Sequence, residues 1–578
     1  MSTSSRILRS RRPMLLTRTR PWICQSCLIR AQKLYTTAAE TPLSPSDTPP
    51  TLRLEELKKG HDSSSGSVNQ KWEVTVGLEI HAQLNAPQKL FSYLDAATSF
   101  NAPPNSRVAP FDAGTPGIQP KLNIPTIVPA IRAAVALECR INRRSAFDRK
   151  HYFYKDQPNG YQITQFYHPF ASDGRLVLNE LDGLAVSETV QVGIKQVQME
   201  QDTAKSVFQP STSPDVPART LVDLNRAGSA LVEIITTPSL KSSKHAAACL
   251  RKIQGILKAS GAAVDGMEKG GVRCDVNVSI QKIGVPGLGR RVEIKNLNSI
   301  KAVQESIEAE IRRQVAVRES GGEIEGETRG WDALKGESKK LRRKEGEVDY
   351  RYMPDAELPP LIIDESLVAH IKSTLPPLPD DIISELMSEP FALTLKDART
   401  MVDLDDGARV GYYKAVYNDI STRLGAQPSP KHLGKLIGNW TLHELGGRLA
   451  SNFIAWADNP ITTVQLADLL FHLQGGLITA ANAKQVLDVL IESENPKAVV
   501  QDVIAKHDLA TQATSEEDAE LISLANEIVG QYPDKAAQIR SGKRPNLKNL
   551  FIGNLMKATG GKVDVQICRQ VIEKIFSE

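Results

Sequence analysis

Two hydrophobic periods divide this chain, and they call for different architectures. In VTVGLEIHAQL (74–84), Val74, Val76, Leu78 and Ile80 alternate with Thr75, Gly77, Glu79 and His81, the period of a strand with one buried face. Strand-like text of this kind, cut by Gly, Pro and Asn turns, runs from about 72 to 365, with helix-like segments at 126–138 and 241–260. From about 376 onward the apolar residues fall three and four apart. Leu521, Leu524 and Ile528 form one stripe, Leu547, Leu550, Phe551 and Leu555 another, and Ile567, Val571 and Ile575 a third. Gly475–Gly476 and the Ser-Glu-Glu-Asp run at 515–518 mark helix boundaries. A sheet-building half followed by a helix-building half predicts an α+β chain, a domain with an antiparallel sheet followed by all-α linker and tail domains. At 578 residues the length allows two to four such domains.

The first 39 residues fit neither period. They hold Arg6, Arg9, Arg11, Arg12, Arg18, Arg20, Arg30 and Lys33, and the first acid is Glu40. An acid-free segment rich in Arg and Ser reads as a mitochondrial transit peptide, which directs the protein to the matrix. Its charge of +8, set against +4 for the whole chain, leaves residues 40–578 at −4. A nucleic-acid contact therefore needs a local basic patch. One exists: between Lys535 and Lys562 lie Lys535, Arg540, Lys543, Arg544, Lys548, Lys557 and Lys562 with no acid among them, a pattern suited to phosphate-backbone contact. KKLRRK (339–344) reads as an exposed loop. Residues 40–69 are a Pro- and Ser-rich disordered lead-in. No apolar run approaches the ~18 residues a membrane helix needs, so no membrane partner is expected. Cys24-x-x-Cys27 lies inside the presequence without a second pair, and Cys139, Cys249, Cys274 and Cys568 read as reduced thiols.

The chemistry lies on the polar faces of the strands. Glu79 and His81, two apart, can reach one cation. In GVRCDVNVSI (271–280) Arg273, Asp275 and Asn277 share a face, and in RVEIKNLNS (291–299) so do Glu293 and Lys295. In VQVGIKQVQMEQD (190–202) the apolar parity slips between Ile194 and Val197, the mark of a β-bulge, and Glu200 and Asp202 follow. Carboxylates beside Arg and Lys suit a nucleoside triphosphate with Mg²⁺. The chain has no GxxxxGK[ST], GxGxxG, HExxH or GxSxG motif, which excludes the P-loop, Rossmann, zincin and α/β-hydrolase routes.

Taken together, VGLEIHAQL, FDRKHYFYKDQPNGYQITQ (147–165), LVDLNRAG (221–228), MEKGGVRCDVNVSI (267–280), VEIKNLNS (292–299), GETRGWD (326–332) and DYRYMP (349–354) resemble, in order and spacing, the GatB family of aminoacyl-tRNA amidotransferases. The resemblance implies a glutamine synthetase-like cradle (kinase/transamidase domain) over 70–365, a helical linker over 366–429, and a YqeY-like tRNA-binding tail over 430–578. It also implies a reaction: ATP phosphorylates the side chain of Glu on tRNA(Gln), and ammonia from a glutaminase partner displaces the phosphate. By the same resemblance, Glu79, His81, Glu200 and Glu268 are the expected metal-site residues. Arg273, Asp275, Asn277, Lys295 and Asn296 would contact the nucleotide and its phosphates. Lys150 would act in the catalytic site, lining the ammonia route, and Lys543, Arg544 and Lys548 would bind tRNA. The implied cofactors are ATP and Mg²⁺. The implied partners are an amidase-like glutaminase subunit, a small third subunit and Glu-tRNA(Gln). Many members have two adjacent Glu where this chain has Glu200-Gln201. Some carry CPxC where it reads APFDAGTPG (109–117), so no zinc is expected. Asn159 also replaces a Lys or small residue common in the family. The rival reading is a non-catalytic tRNA-binding subunit of the same complex, which would not need Glu79, His81 and Glu200. A free-standing ammonia ligase would not need the basic tail.

Removing residues 1–39 removes the charge that import requires, so a chain beginning at residue 40 should stay out of the matrix. Fractionation of cells expressing both forms measures this, and equal matrix levels would exclude the transit reading.

Overall fold

A computed structural model describes residues 71–96, 102–211, 217–343, 350–425, 432–493, 495, 497–512, 515 and 518–577. The transit peptide and the lead-in expected before residue 70 lie outside these residues.

The alternation in the first half becomes one nine-stranded sheet. Its strands are β1 (Trp72–Gln83), β2 (Arg140–Ile141), β3 (Ala171–Leu178), β4 (Val190–Gln201), β5 (Ala230–Thr236), β6 (Val272–Lys282), β7 (Val292–Leu297), β8 (Glu327–Asp332) and β9 (Glu337–Arg343). They lie in the order β9-β8-β7-β6-β1-β5-β4-β3-β2, all antiparallel except β7 with β8. The apolar parity of β1 (Val74, Val76, Leu78, Ile80 and Ala82) is buried. Three helices accompany the sheet: α1 (Ile127–Ala136), α2 (Ser243–Ala259) and α3 (Ile300–Glu319). The last two pack on each other and against the sheet. Ser242 and Ser299 start them as N-caps, each accepting a hydrogen bond from the backbone amide three residues on. With the apolar parity buried, the other parity of the central strands is left to the site.

A second layer lies over that polar parity. Asp148–His151 pairs with Tyr161–Thr164 on one side and Met353–Pro354 on the other. It is tied to β4 by side-chain amides: Gln162 Nε2 donates to the Gln201 carbonyl at 2.8 Å, Gln198 Nε2 to Thr164 Oγ1 at 3.1 Å, and the Met199 amide to Gln165 Oε1 at 3.1 Å. The result is a sheet floor with a small roof.

KKLRRK is not a loop. Through Arg343 it forms the edge strand β9, on which Lys339 and Lys340 are exposed, and such lysines blunt an otherwise open sheet edge. The helical half holds two cores. One runs from Ile383 to Leu509 and includes Tyr413, Trp440, Leu470 and Leu487. It therefore continues across residue 430, where the sequence suggests a domain break. The other, Leu521 to Ile572, is built by Ala519–Gly530, Pro533–Arg540, Lys548–Ala558 and Val565–Ser577. These helices carry the three apolar stripes of the sequence. Asp518 caps the first of them, accepting from the amides of Glu520 and Leu521. Lys252, nearly buried on α2, joins the first helical core to the cradle through Asp380 at 2.6 Å and Asp182 at 3.0 Å.

The segment 102–117 is clamped by a buried ion pair. Lys89 Nζ donates to Asp112 Oδ2 at 2.7 Å, with side-chain exposures of 0% and 1%, and to the Arg107 carbonyl at 2.9 Å. Lys89→Met would strand the Asp112 charge and should cost about 3–5 kcal/mol. Pairing it with Asp112→Leu should restore much of the loss. Urea unfolding of the two variants tests this, and an equal loss in both would mean that the charges themselves are not what holds the segment.

Candidate functional site

Strand register places the site residues. In β1, Glu79 lies opposite Asp275 of β6, and His81 lies opposite Arg273 of β6 and Glu233 of β5. Glu233 lies opposite Gln198, and Leu231 opposite Glu200, on β4. The expected bulge is present at Lys195: Ile235 pairs with Gln196, but Thr236 pairs with Ile194. The extra residue restores a register in which Glu200 reaches β1. A second bulge sits in β7, where Cys274 pairs with Leu297 but Val276 with Ile294. There Asn296 takes a left-handed φ of 66°, and Lys295 turns toward Asp275.

These registers converge on His81. Its Nδ1 lies 3.2 Å from Glu200 Oε1 and its Nε2 3.5 Å from Glu79 Oε1. Among the described residues, Glu79, His81 and Glu233 form a group whose potential ligand atoms all lie within 4.8 Å of one another, a donor set suited to a divalent cation. Gln198 Nε2 donates to Glu233 Oε2 at 2.7 Å. Lys295 bonds Asp275 and lies 3.3 Å from Glu293. From the roof, Lys150 Nζ sits 5.0 Å from the centre of the Tyr350 ring.

The charges in this space are mutually dependent. Burial raises the Glu233 carboxyl well above its ordinary range, and the Glu200 charge raises it further. Burial would likewise raise Glu200, but the hydrogen bond and charge of His81 outweigh it and hold the carboxylate low. Glu79 is lowered by His81 in the same way against its own burial. His81 is raised well above its usual value: burial opposes the proton, but bonds to Glu200 and Glu79 retain it. For Lys150 burial works against the charge, yet Glu200 and Glu233 raise its pKa, so it is a cation at neutral pH.

Of the expected metal residues, the structure brings Glu79, His81 and Glu200 together and leaves Glu268 apart. Glu268 stands in the short turn Met267–Lys269, exposed, with Lys258 Nζ 3.2 Å away. Glu233 takes its place in the cluster. The signal for it lies in the sequence: a single carboxylate between Val232 and Ile234 in ALVEIIT, apolar apart from it and the final Thr236. Of the expected nucleotide residues, Arg273, Asp275, Asn277 and Lys295 face the cradle. Asn296 lines a different cavity of about 400 Å³ with Gly330, Asp332 and Lys339. Asp202, buried, accepts from Arg226 at 2.6 Å and lies 3.6 Å from Arg273, so Arg226 joins the candidates for phosphate contact. Gln201 is buried, and its Oε1 has no partner among the described residues. In the tail, Lys543 and Arg544 are exposed at the turn after Pro533–Arg540, and Lys548 begins the next helix, half-buried. Among the described residues none of the three makes an ion pair with a carboxylate, whereas Lys562 pairs with Asp508.

Residues 74–369 match the GatB/GatE catalytic domain, and residues 429–576 match the GatB domain. The B subunit of the mitochondrial glutamyl-tRNA(Gln) amidotransferase of Talaromyces marneffei is 45% identical over 535 residues, 90% of this chain and 88% of its own length. That of Aspergillus oryzae is 45% identical over 566 residues, 94% of this chain and 93% of its own. On both grounds the chain belongs to the GatB family of aminoacyl-tRNA amidotransferases.

Proposed function

We propose that this chain is the GatB component of a mitochondrial amidotransferase that converts Glu-tRNA(Gln) to Gln-tRNA(Gln), and that its cradle activates the glutamate side chain with ATP. The observation that carries the reading is the cluster of Glu79, His81 and Glu233, with Glu200 beside it, beneath Lys150. A non-catalytic assembly protein has no need of three carboxylates and an imidazole gathered in a half-buried cleft.

The donor set fits a hard divalent ion. Asn277 supplies a second sign of a missing ligand, since its Oδ1 is buried on the same polar face with no partner among the described residues. A Mg²⁺ ion held by Glu79, His81 and Glu233 would offset charge on the phosphoryl group in transfer. Arg273 and Arg226, braced by Asp202, are placed for the phosphate oxygens of ATP. Lys150 faces the substrate carboxylate: as a cation it cannot take a proton from ammonia, but it can orient the carboxylate and then stabilise the acyl phosphate. The substrate oxygen attacks the γ-phosphorus and ADP departs. Ammonia then forms the C–N bond as the C–O bond to phosphate breaks, and the departing phosphate takes the proton that the nitrogen loses in becoming the amide. Ammonia would come from an amidase-like glutaminase subunit in a complex that includes a small third subunit. The tail would hold the tRNA through the basic stretch ending at Lys562.

Two sets of variants test this. Glu79→Gln, His81→Ala and Glu233→Gln should each lower turnover of Glu-tRNA(Gln) by ~10²-fold or more and leave tRNA affinity and the partner's glutaminase intact. Glu268→Gln should stay within a few-fold of wild type, because its carboxylate lies outside the cluster. Single-turnover assays decide the matter, and full activity in Glu233→Gln would exclude the ligand set.

Replacing Lys543, Arg544 and Lys548 with Ala should raise KM for Glu-tRNA(Gln) and leave kcat nearly unchanged. Each lost phosphate contact should reduce the slope of log affinity against log salt by about 0.7–0.9. An unchanged slope would mean that these side chains only meet solvent.

A further inference from the structure

A row of six aromatic rings runs through the roof of the cradle. Ring centres are 5.8 Å apart between Tyr154 and Tyr152, 6.3 Å between Tyr152 and Tyr350, and 6.0 Å between Tyr350 and Tyr352. Tyr352 stacks face to face on Phe166 at 3.9 Å, and Phe166 meets Tyr167 at 5.0 Å. The ends of the row lie open: Tyr154 is 61% exposed, Tyr167 56% and Phe166 42%. Beside it Phe153 is 89% exposed, its ring against the backbone of Gly160, where a Cβ would come within 2.9 Å of the ring. Exposed rings in such number, beside the Lys150 that adjoins the carboxylate cluster, mark a surface that receives something.

What it receives follows from what the row adjoins. Lys150, whose Nζ lies over Tyr350, faces Glu200 and Glu233, so the rings begin where the reactive cluster ends. If the substrate is an amino acid esterified to the 3′ end of an RNA, the ester tethers the last unpaired nucleotides beside the glutamate side chain. Those nucleotides must occupy the mouth of the cleft whenever the carboxylate reaches Glu79, His81 and Glu233. The fixed charges of the two ring-bearing segments 150–168 and 350–353 suit a polyanion: Lys150, Lys155 and Arg351 against the single acid Asp156. Every base has a π-face, and stacking on aromatic rings holds single strands without regard to sequence.

We propose that the rings from Tyr154 to Tyr167 form a stacking platform for the unpaired 3′ nucleotides of the aminoacylated RNA. The platform rests on the function given above and assigns it a feature: the cradle holds the RNA end by base stacking, while the tail holds phosphate. The two modes differ in salt dependence, because stacking releases few counterions.

The test uses the full chain purified with its complex. Affinity is measured for intact tRNA(Gln) and for the same tRNA lacking its last four nucleotides, with wild type, Phe166→Leu/Tyr167→Leu and the ring-preserving Phe166→Tyr. Trimming should weaken wild-type binding by about tenfold. The double variant should bind intact tRNA as wild type binds the trimmed form, lose nothing more on trimming, and keep its salt slope. Phe166→Tyr, which retains a ring, should behave as wild type and shows that the position tolerates substitution. An unchanged trimming penalty in the double variant overturns the platform, as does loss of a partner protein from the complex in place of RNA affinity. Both of those outcomes leave wild-type conversion of Glu-tRNA(Gln) intact. Failure of the wild-type complex to convert Glu-tRNA(Gln) instead overturns the function on which the platform rests.

Discussion

Glu79, Glu200 and Glu233 surround one imidazole. Two like charges 4 Å apart in a partly screened site repel by about 4 kcal/mol, so three carboxylates in this space need compensating positive charge. His81 supplies one such charge by keeping its proton, and Lys150 supplies another from the roof. Glu233, hydrogen-bonded to Gln198 through Oε2, is left with its carboxyl raised and the cluster short of a cation. A divalent ion relieves the repulsion of all three acids at once, and it competes with the His81 proton in doing so. The cradle is organised around that deficit.

The backbone delivers these groups through register. Pairing β1 with β5 and β6 lines up Glu79, His81, Glu233, Arg273 and Asp275 on one face, because the opposite parity is buried behind them. A one-residue slip in any of these strands would turn the acids into the apolar core, where their desolvation could not be repaid. The bulge at Lys195 lets β4 keep its apolar residues inside at both ends while bringing Glu200 to His81. The bulge at Asn296 does the corresponding work for Lys295.

The sequence was most legible where one period ran without interruption. The parity of β1, the bulge between Ile194 and Val197, the two helices expected at 126–138 and 241–260 and the three tail stripes are all present in the structure, since each rests on local spacing; α3, Ile300–Glu319, is a helix that the spacing did not announce. Glu268 and Glu233 show the limit. Glu268 stands next to a motif-rich strand, but its turn points the side chain toward Lys258, a contact with a residue on α2 that no local pattern announces. Glu233 is a lone charge in a strand of mostly apolar text, and its value comes from pairing with His81 of β1 and Gln198 of β4, about 150 and 35 residues away in the chain. KKLRRK reads as a loop because charge is its only local signal; pairing with β8 makes it an edge strand. The roof was invisible for the same reason, since it joins 148–164 to 353–354 across half the cradle.

The acids and their counter-charges lie between sheet and roof, and Lys543, Arg544 and Lys548, which among the described residues pair with no carboxylate, lie on a tail with its own core. The account depends on the cluster binding a metal through Glu233. Mn²⁺ titration followed by EPR, on the purified complex without nucleotide, measures this directly. Wild type and Glu268→Gln should bind the ion alike, and Glu233→Gln should lose that site. Wild-type Mn²⁺ binding in Glu233→Gln, or its loss in Glu268→Gln, would contradict the account.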